Sequence, residues 1–244
     1  MKVLETKNLT KRFEGVHAVD GLSIAIEKAK ITSIIGPNGS GKTTLINVLS
    51  GFVPFDSGVV IINDAAKLLV IKPHEIIFYG ITRTFQDVHL FNQMTVLDNL
   101  LVVLTERNVF SALFEKHKEY HLKKAEDILR RVGLWEKKKE LAANLSYGQR
   151  KLLEIGRTMV TNADVFLFDE PFAGLFPEMV KIVSTIIQEL KKEDKTIILI
   201  EHDMNLIREL SDYVFVMDGG KLLAEGKPEE VLAKREVVEA YLGG

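Results

Sequence analysis

The feature that most constrains this 244-residue chain is a short apolar run that leads into a glycine-rich loop. Residues 31–35 precede Gly36-Pro37-Asn38-Gly39-Ser40-Gly41-Lys42-Thr43, which fits the pattern G-x-x-x-x-G-K-[ST]. The glycines allow backbone N–H groups to point into the loop, and a helix that begins there adds its positive end. A strand, a loop and a helix in this order predict a site that holds the phosphates of a nucleotide.

Individual side chains of this loop have predicted roles. Lys42 can reach the β- and γ-phosphates of a triphosphate, and the hydroxyl of Thr43 can bind Mg²⁺. Thr44 follows at the start of the predicted helix and joins the expected nucleotide-binding residues. The alternative is a coincidental glycine-rich turn, which arises in about one chain in a hundred of this length at average composition. We therefore expect ATP and Mg²⁺ as cofactors.

A pair of acidic residues follows a second buried strand. The apolar residues 165–168 lead directly into Asp169 and Glu170. A carboxylate that ends a strand beside a phosphate loop is placed to bind Mg²⁺, so Asp169 is the predicted metal ligand. Glu170 is placed to polarise the attacking water and is the predicted catalytic carboxylate. A solvated acidic turn after a strand is the alternative for this pair.

Hydrophobic periodicity predicts the local elements. Alternating residues near the N-terminus, continuing at 22–26, favour antiparallel strands. Residues 73–79 predict a short helix, and Thr95 begins another with a capping box. A charged amphipathic helix is predicted over 116–132, and residues 144–148 are expected to form a turn.

The same periodicity predicts the domain organisation. Residues 87–160 are mainly helical, whereas strands and helices alternate after residue 160 and end in a hairpin. We predict an α/β fold with a P-loop NTPase core and a parallel sheet, an N-terminal antiparallel β subdomain and an inserted α-helical subdomain. The core comprises residues 1–86 and 161–244 of a single domain, and the helical subdomain comprises 87–160.

Composition excludes several classes of function. The chain has no cysteine, which excludes disulfides, thiolate metal sites and thiol catalysis. A net charge of -2 provides no global basic field, so we expect no nucleic-acid partner. No stretch approaches the ~18 apolar residues that cross a bilayer, and no apolar segment typical of a signal peptide follows the N-terminal charges. A membrane role would therefore require a partner protein.

A third motif carries a family resemblance. Leu145-Ser146-Tyr147-Gly148-Gln149 ends 20 residues before Asp169 and resembles the LSGGQ signature of ABC transporter ATPases. With the two sites above, the family's motifs stand in order over nearly the whole chain. The resemblance implies that Ser146, Gly148 and Gln149 of one subunit close on the γ-phosphate held by a second ATPase subunit. A serine-capped helix start would explain Ser146 but not the whole string.

Three further positions match the family's nucleotide contacts. Gln86, 44 residues after Lys42, resembles the Q-loop glutamine, a catalytic residue that contacts Mg²⁺ and water. His202, 32 residues after Glu170, resembles the catalytic switch histidine that contacts the γ-phosphate. Phe13 lies where the family stacks an aromatic ring on adenine. Taken alone, these would more often be a surface glutamine, a structural histidine and a core phenylalanine.

Two residues depart from the family's pattern. Tyr147 replaces the third residue of the signature. Phe176 occupies the D-loop position where Asp or Asn normally makes polar contacts across the dimer. Because phenylalanine cannot make those hydrogen bonds, we favour a heterodimer with a different ATPase subunit over a homodimer. Rotation of Phe176 onto its own subunit is the alternative.

Several stretches resemble the ATPases of branched-chain amino-acid importers, namely residues 81–86, 90–96, 145–149, 200–204 and 240–243. Residues 105–121 correspond to a variable insertion. The resemblance implies a cytoplasmic subunit on the inner face of the cell membrane. It implies integral-membrane permease subunits, contacted through the segment from Gln86 to Thr95, and indirectly a periplasmic or extracellular solute-binding protein.

Other members of the superfamily remain as alternatives. The ATPases of urea or short-amide importers and of lipopolysaccharide export look similar. A non-transport member that acts in translation or DNA repair would usually carry two such domains or coiled-coil arms, and this chain has neither. A nucleotide switch without turnover is disfavoured because Glu170 and His202 are present.

Overall fold

The structure, a computed structural model, describes residues 1–104 and 116–242, apart from the side chains of 116–118 and 242. Residues 105–115 of the predicted variable insertion and Gly243 of the family-like ending lie outside the described residues. The chain forms two compact units. The first comprises Met1–Arg83, Ala163–Glu170 and Gln188–Gly244, and the second comprises Thr84–Asn162 and Pro171–Ile187.

The first unit contains an antiparallel sheet formed by the N-terminal strands. Its central strand β1 (Lys2–Phe13) pairs with β2 (Val16–Leu22), β3 (Ala25–Glu27) and β5 (Ser57–Ile62), and β5 pairs with β6 (Ala66–Leu68). Consecutive residues are buried in β1, at Val3 and Leu4, and in β5, at residues 60–62. Because successive side chains of a strand point to opposite faces, both faces of the sheet are covered along these segments.

The first unit also contains a largely parallel sheet. Its strands are β4 (Ile31–Ile35), β7 (Ile81–Arg83), β8 (Val165–Asp169), β9 (Thr196–Ile200), β10 (Tyr213–Asp218) and β11 (Lys221–Gly226), in the order β11-β10-β4-β9-β8-β7. All neighbours are parallel except β10 and β11, which form the predicted hairpin. Every residue of β4, β8 and β9 is buried, which explains their continuous apolar runs. The predicted fold class is confirmed.

Helices cover this sheet within the first unit. They are α1 (Lys42–Leu49), α6 (Met204–Leu210), α7 (Pro228–Val231) and α8 (Arg235–Leu242). Leu45 and Ile46 of α1 join a core shared with both sheets. A second core packs Ile35 with Ile207, Val237 and neighbouring residues of β10 and α7. The strand before the glycine-rich loop is therefore held by packing on both sides.

The second unit is helical. It contains α2 (Val96–Leu104), α3 (Lys116–Arg131), α4 (Tyr147–Met159) and the part of α5 (Pro177–Lys192) up to Ile187. The predicted cap of α2 is present, since the Asp98 N–H donates to Thr95 Oγ1 at 3.1 Å. Among the described residues, no helix is long and apolar enough to cross a membrane.

Two local predictions differ from the structure in their bounds or in the type of helix. The helix predicted over residues 73–79 is only a 3₁₀ turn at Ile76–Tyr79, because so short a segment has no side-chain cap to offset the cost of helix nucleation. The turn predicted at residues 144–148 ends earlier than expected, and α4 already begins at Tyr147. Ser146 caps that helix, as described below.

Candidate active site

The glycine-rich loop joins β4 to α1 in a conformation that requires glycine. Gly41 precedes α1 with a φ of 101°, in the left-handed region. A Cβ at Gly41 would lie 2.1 Å from the Ala18 carbonyl oxygen, so no larger residue fits without moving β2. The Gly220 N–H in the β10–β11 turn donates to the Ser40 carbonyl at 3.1 Å, which fixes the loop from the other side.

Lys42 is buried at the start of α1 and folds back over the loop. Its Nζ donates to the carbonyls of Gly36 and Pro37 at 2.8 and 2.9 Å. Burial lowers its pKa, whereas the negative charges of Glu170 and Asp169 oppose that shift. The ammonium group therefore lies within the electrostatic reach of both predicted carboxylates.

The remaining loop residues differ in exposure. Gly36 and Ser40 are buried, Pro37 and Thr44 are half-buried, and Asn38, Gly39 and Thr43 are exposed. The Thr43 hydroxyl thus lies on the accessible side of the first turn of α1. A side chain that is to bind a metal ion needs its oxygen on this accessible side.

Asp169 ends β8 in a buried ion pair. Its Oδ2 accepts a hydrogen bond from Nη2 of Arg83 at 3.2 Å. Arg83 ends the neighbouring parallel strand β7 at the same edge of the sheet. The predicted metal ligand is therefore a buried carboxylate that is hydrogen-bonded to a guanidinium.

Glu170 and His202 contact each other directly. Glu170 Oε1 lies 2.8 Å from His202 Nε2, which brings together the residues that follow β8 and β9. The Glu170 backbone has a φ of 48°, an uncommon left-handed conformation for this residue type, and its N–H donates to the Ile200 carbonyl at 3.0 Å. Backbone strain of this kind concentrates at functional sites. The contact therefore brings the predicted catalytic carboxylate and the predicted switch histidine together.

Phe13 lies at the end of β1 with 46% of its surface exposed. The ammonium of Lys11 lies 5.1 Å from its ring centroid. Stacking on a base requires an exposed aromatic ring. Phe13 is exposed and is therefore not a core phenylalanine.

The signature residues of the second unit form the start of α4. Ser146 Oγ accepts the Gln149 N–H at 3.3 Å, and Gln149 Oε1 accepts the Ser146 N–H at 3.1 Å, which is a complete capping box. A Cβ at Gly148 would lie 2.3 Å from Met179 Sδ on α5. A larger residue at this position would therefore displace the Met179 side chain.

Gln86 is exposed in a loop of the second unit that α4 holds in place. Glu154 Oε1 on α4 accepts the N–H groups of Phe85 and His89 at 3.3 and 3.5 Å. Arg157, one turn later, donates to the His89 carbonyl, and its guanidinium lies 5.0 Å from the Phe91 ring. Burial raises the pKa of Glu154 to about 7, against the effect of the two backbone hydrogen bonds.

The structure places the predicted residues in two groups. Phe13, residues 36–44, Asp169, Glu170 and His202 belong to the first unit, whereas Gln86, Ser146, Gly148 and Gln149 belong to the second. Sequence analysis missed Arg83 and Glu154. No local pattern identifies either residue, because β7 is the largely polar triplet Ile-Thr-Arg and α4 carries several other charged residues besides Glu154.

Comparison with known proteins agrees with this geometry. The family described as "ABC transporter" matches residues 19–173, which is more than half of the chain. The chain belongs to the ABC transporter family. A second family, described as "Branched-chain amino acid ATP-binding cassette transporter", matches residues 221–244. The protein is an ABC ATPase that binds nucleotide.

Relatives of this ABC ATPase span its whole length. The "High-affinity branched-chain amino acid transport ATP-binding protein LivG" of Escherichia coli (strain K12) is 39% identical, over 99% of this chain and 98% of the relative. A "Probable branched-chain amino acid transport ATP-binding protein LivG" of Archaeoglobus fulgidus is 41% identical, over 100% of this chain and 96% of the relative. The solved ADP conformation of MJ1267, "an ATP-binding cassette of an ABC transporter", shares 38% identity and a TM-score of 0.86, with 100% of both chains covered.

The two departures from the family's pattern lie together in this ABC ATPase. Phe176, just before α5, is 71% exposed. Tyr147 packs on the D-loop, since a Cβ at Gly174 would lie 3.0 Å from Tyr147 Cε1. The bulk of Tyr147 is therefore matched by a glycine on the neighbouring loop.

Proposed function

We propose that this ABC ATPase drives the import of branched-chain or other hydrophobic amino acids. The substrate class rests on the similarity to branched-chain amino acid transport proteins and on the family that matches residues 221–244. The ATPase chemistry is supported chiefly by one observation, the 2.8 Å contact between Glu170 and His202 at the edge of the sheet that also carries the phosphate loop.

In the proposed mechanism, the loop and Lys42 bind the phosphates of ATP. When ATP binds, the Lys42 Nζ exchanges the carbonyls of Gly36 and Pro37 for phosphate oxygens. The ammonium group therefore has hydrogen-bond acceptors in both states. Glu170 accepts a hydrogen bond from the attacking water and orients it. His202 holds the Glu170 carboxylate and contacts the γ-phosphate, and Phe13 stacks on the adenine.

The donor set fits Mg²⁺. A hydroxyl from Thr43 and a buried carboxylate from Asp169 are hard oxygen ligands, and Mg²⁺ in phosphate sites is bound through one or two carboxylates together with phosphate oxygens and waters. Gln86 is the third proposed ligand. When bound, the ion neutralises charge that develops on the phosphates.

The proposed active form is a dimer of ATPase subunits. Ser146, Gly148 and Gln149 begin the 13-residue helix α4, whose N-terminus favours an anion. We propose that this end closes on the γ-phosphate of the second subunit. A heterodimer remains favoured because Phe176 cannot make polar contacts at the interface.

The proposed membrane partner is an integral-membrane permease, which holds the subunit on the cytoplasmic face of the membrane and receives solute from a binding protein. The permease contact is the segment from Gln86 to Thr95, in which Phe91 is exposed and Leu90 is half-buried. A photocrosslinker placed at His89 or Asn92 should capture the permease. Capture only from Gly219, in the β10–β11 turn, would contradict this placement.

The catalytic proposal is tested with Glu170→Gln. This change keeps shape and hydrogen bonding but removes the charge, so hydrolysis should fall at least ~10²-fold while ATP binding survives. Glu229→Gln, which removes an exposed acid of α7, is the control and should hydrolyse ATP normally. Normal turnover of Glu170→Gln would refute the assignment.

The substrate class is tested by transport. Deletion of the gene should abolish uptake of radiolabelled leucine, and a plasmid copy should restore it. If leucine uptake is unchanged but urea uptake or lipopolysaccharide export is lost, the corresponding alternative replaces the amino-acid proposal.

A further inference from the structure

Arg83 is a buried cation that none of the proposed roles uses. It is the last residue of β7, and only 8% of its surface is exposed. Its Nη1 donates to Asn47 Oδ1 at 2.9 Å and to Ser50 Oγ at 2.6 Å. Its Nη2 donates to Asp169 Oδ2 at 3.2 Å. One guanidinium therefore connects the end of α1 to the carboxylate at the end of β8.

We propose that Arg83 is a positioning residue for the metal site, which holds the Asp169 carboxylate at a fixed place relative to α1. The inference rests on the proposed function, in which Asp169 and Thr43 bind Mg²⁺. Thr43 lies in the first turn of α1, whereas Asn47 and Ser50 lie at its other end. Two of the three proposed ligands, Thr43 and Asp169, are therefore positioned relative to the same short helix.

The geometry of the guanidinium explains why arginine is suited to this task. Its donors lie in a rigid plane, so fixing Nη1 on two oxygens also fixes the direction of Nη2. Ser50 is itself held, because its hydroxyl donates to the Ile46 carbonyl at 2.6 Å. The carboxylate is oriented before a metal arrives, so less ordering is needed on binding.

A role as a phosphate ligand does not fit Arg83. Both terminal nitrogens already donate to protein oxygens, and the Arg83 carbon Cζ lies 5.4 Å from the Phe52 ring centroid. Releasing the guanidinium toward a phosphate would break its ion pair with the buried Asp169 carboxylate, which is costly. Arg83 therefore acts through Asp169.

Arg83 also lies close in the chain to Gln86, the proposed glutamine sensor. It is the last residue of the first unit's N-terminal segment, and Gln86 follows three residues later in the second unit. The strand that leads to Gln86, β7, is therefore hydrogen-bonded through Arg83 to the Asp169 carboxylate.

The inference is tested by the Mg²⁺ dependence of nucleotide binding. A fluorescent ATP analogue is titrated into the purified full chain, in EDTA and at increasing Mg²⁺, for Arg83→Met, Asp169→Asn and the double variant. Arg83→Met should weaken the apparent Mg²⁺ affinity at least ~10-fold, the usual effect of losing a partner of a metal ligand. Binding in EDTA should change less than about twofold.

The double variant separates a positioning role from a structural one. In the Asp169→Asn background, Arg83→Met should cause no further loss of Mg²⁺ affinity, because the carboxylate through which it acts is gone. Additive losses, or equal losses with and without Mg²⁺, would overturn the inference. Lys195→Met, which breaks an ion pair with Asp164 elsewhere in the first unit, is the control and should leave both affinities unchanged.

A second variant covers failure of Arg83→Met to fold. Arg83→Lys keeps the charge but cannot donate in parallel to α1 and Asp169, so it should show the same Mg²⁺-specific loss. Wild-type Mg²⁺ affinity in Arg83→Lys would overturn the inference. If Asp169→Asn itself keeps the wild-type Mg²⁺ dependence, the proposed metal role of Asp169 fails. If Asp169→Asn loses Mg²⁺ affinity but the Arg83 variants keep the wild-type Mg²⁺ dependence, only the positioning role of Arg83 fails.

Discussion

Replacing Glu154 by glutamine should make the second unit more stable at neutral and alkaline pH. Glu154 is 4% exposed on α4, and burial raises the pKa of its carboxyl from 4.5 to about 7. The positive charges of Lys151 and Arg157 and the N–H groups of Phe85 and His89 oppose this shift without cancelling it. A glutamine oxygen can accept the same N–H groups without carrying charge.

The sign and size of the effect follow from proton linkage. Between pH 4.5 and about 7 the folded chain keeps a proton on Glu154 that the unfolded chain has lost, so the stabilisation is complete below pH 4.5 and disappears as pH rises to about 7. Each pH unit in this window contributes about 1.4 kcal/mol, which amounts to about 3 kcal/mol in total. Glu154→Gln removes this dependence, so its advantage should reach up to about 3 kcal/mol at pH 8 and shrink toward pH 5.

The assay is urea unfolding from pH 5 to 8, followed by the fluorescence of Trp135. This is the only tryptophan of the chain, and it lies in the second unit between Arg130 and Lys138, at 5.0 and 3.5 Å. Glu126→Gln removes an exposed carboxylate of the same unit and should keep the wild-type pH dependence. Parallel stability curves for Glu154→Gln and wild type would refute the argument.

Three further predictions concern other parts of the site. Lys42→Ala should weaken the binding of ATP far more than the binding of adenosine, because its Nζ is proposed to bind the phosphates. Calorimetry measures both affinities, and equal losses would indicate a role of Lys42 in folding instead. Phe176→Asn should increase ATP-driven dimerisation and turnover of the isolated protein, since an unpaired interface partner costs ~1–3 kcal/mol; unchanged sedimentation and turnover would remove the argument for a heterodimer. Gly148→Ala should lower the thermal midpoint of the second unit, because its methyl group meets Met179 Sδ at 2.3 Å, and a wild-type midpoint would show that α5 yields easily.

Features that depend on neighbours in the chain could be predicted from the sequence. The glycine-rich loop could be predicted because β4, the glycines and the first turn of α1 are contiguous in the chain. The parallel strands β4, β8 and β9 were visible because strands buried on both faces have continuous apolar runs. Where local signals were weak, as at residues 73–79, only part of the predicted helix formed, as the 3₁₀ helix Ile76–Tyr79.

Features that depend on residues distant in the chain were decided only by the tertiary structure. Arg83 and Asp169 are separated by 86 positions, and they meet because β7 and β8 pair in parallel register. The raised pKa of Glu154 arises from burial beside Phe85 and His89, about seventy positions earlier in the chain. Residue types in a sequence indicate which charges need partners, but the choice of partner follows from strand pairing and helix packing, which no local pattern encodes.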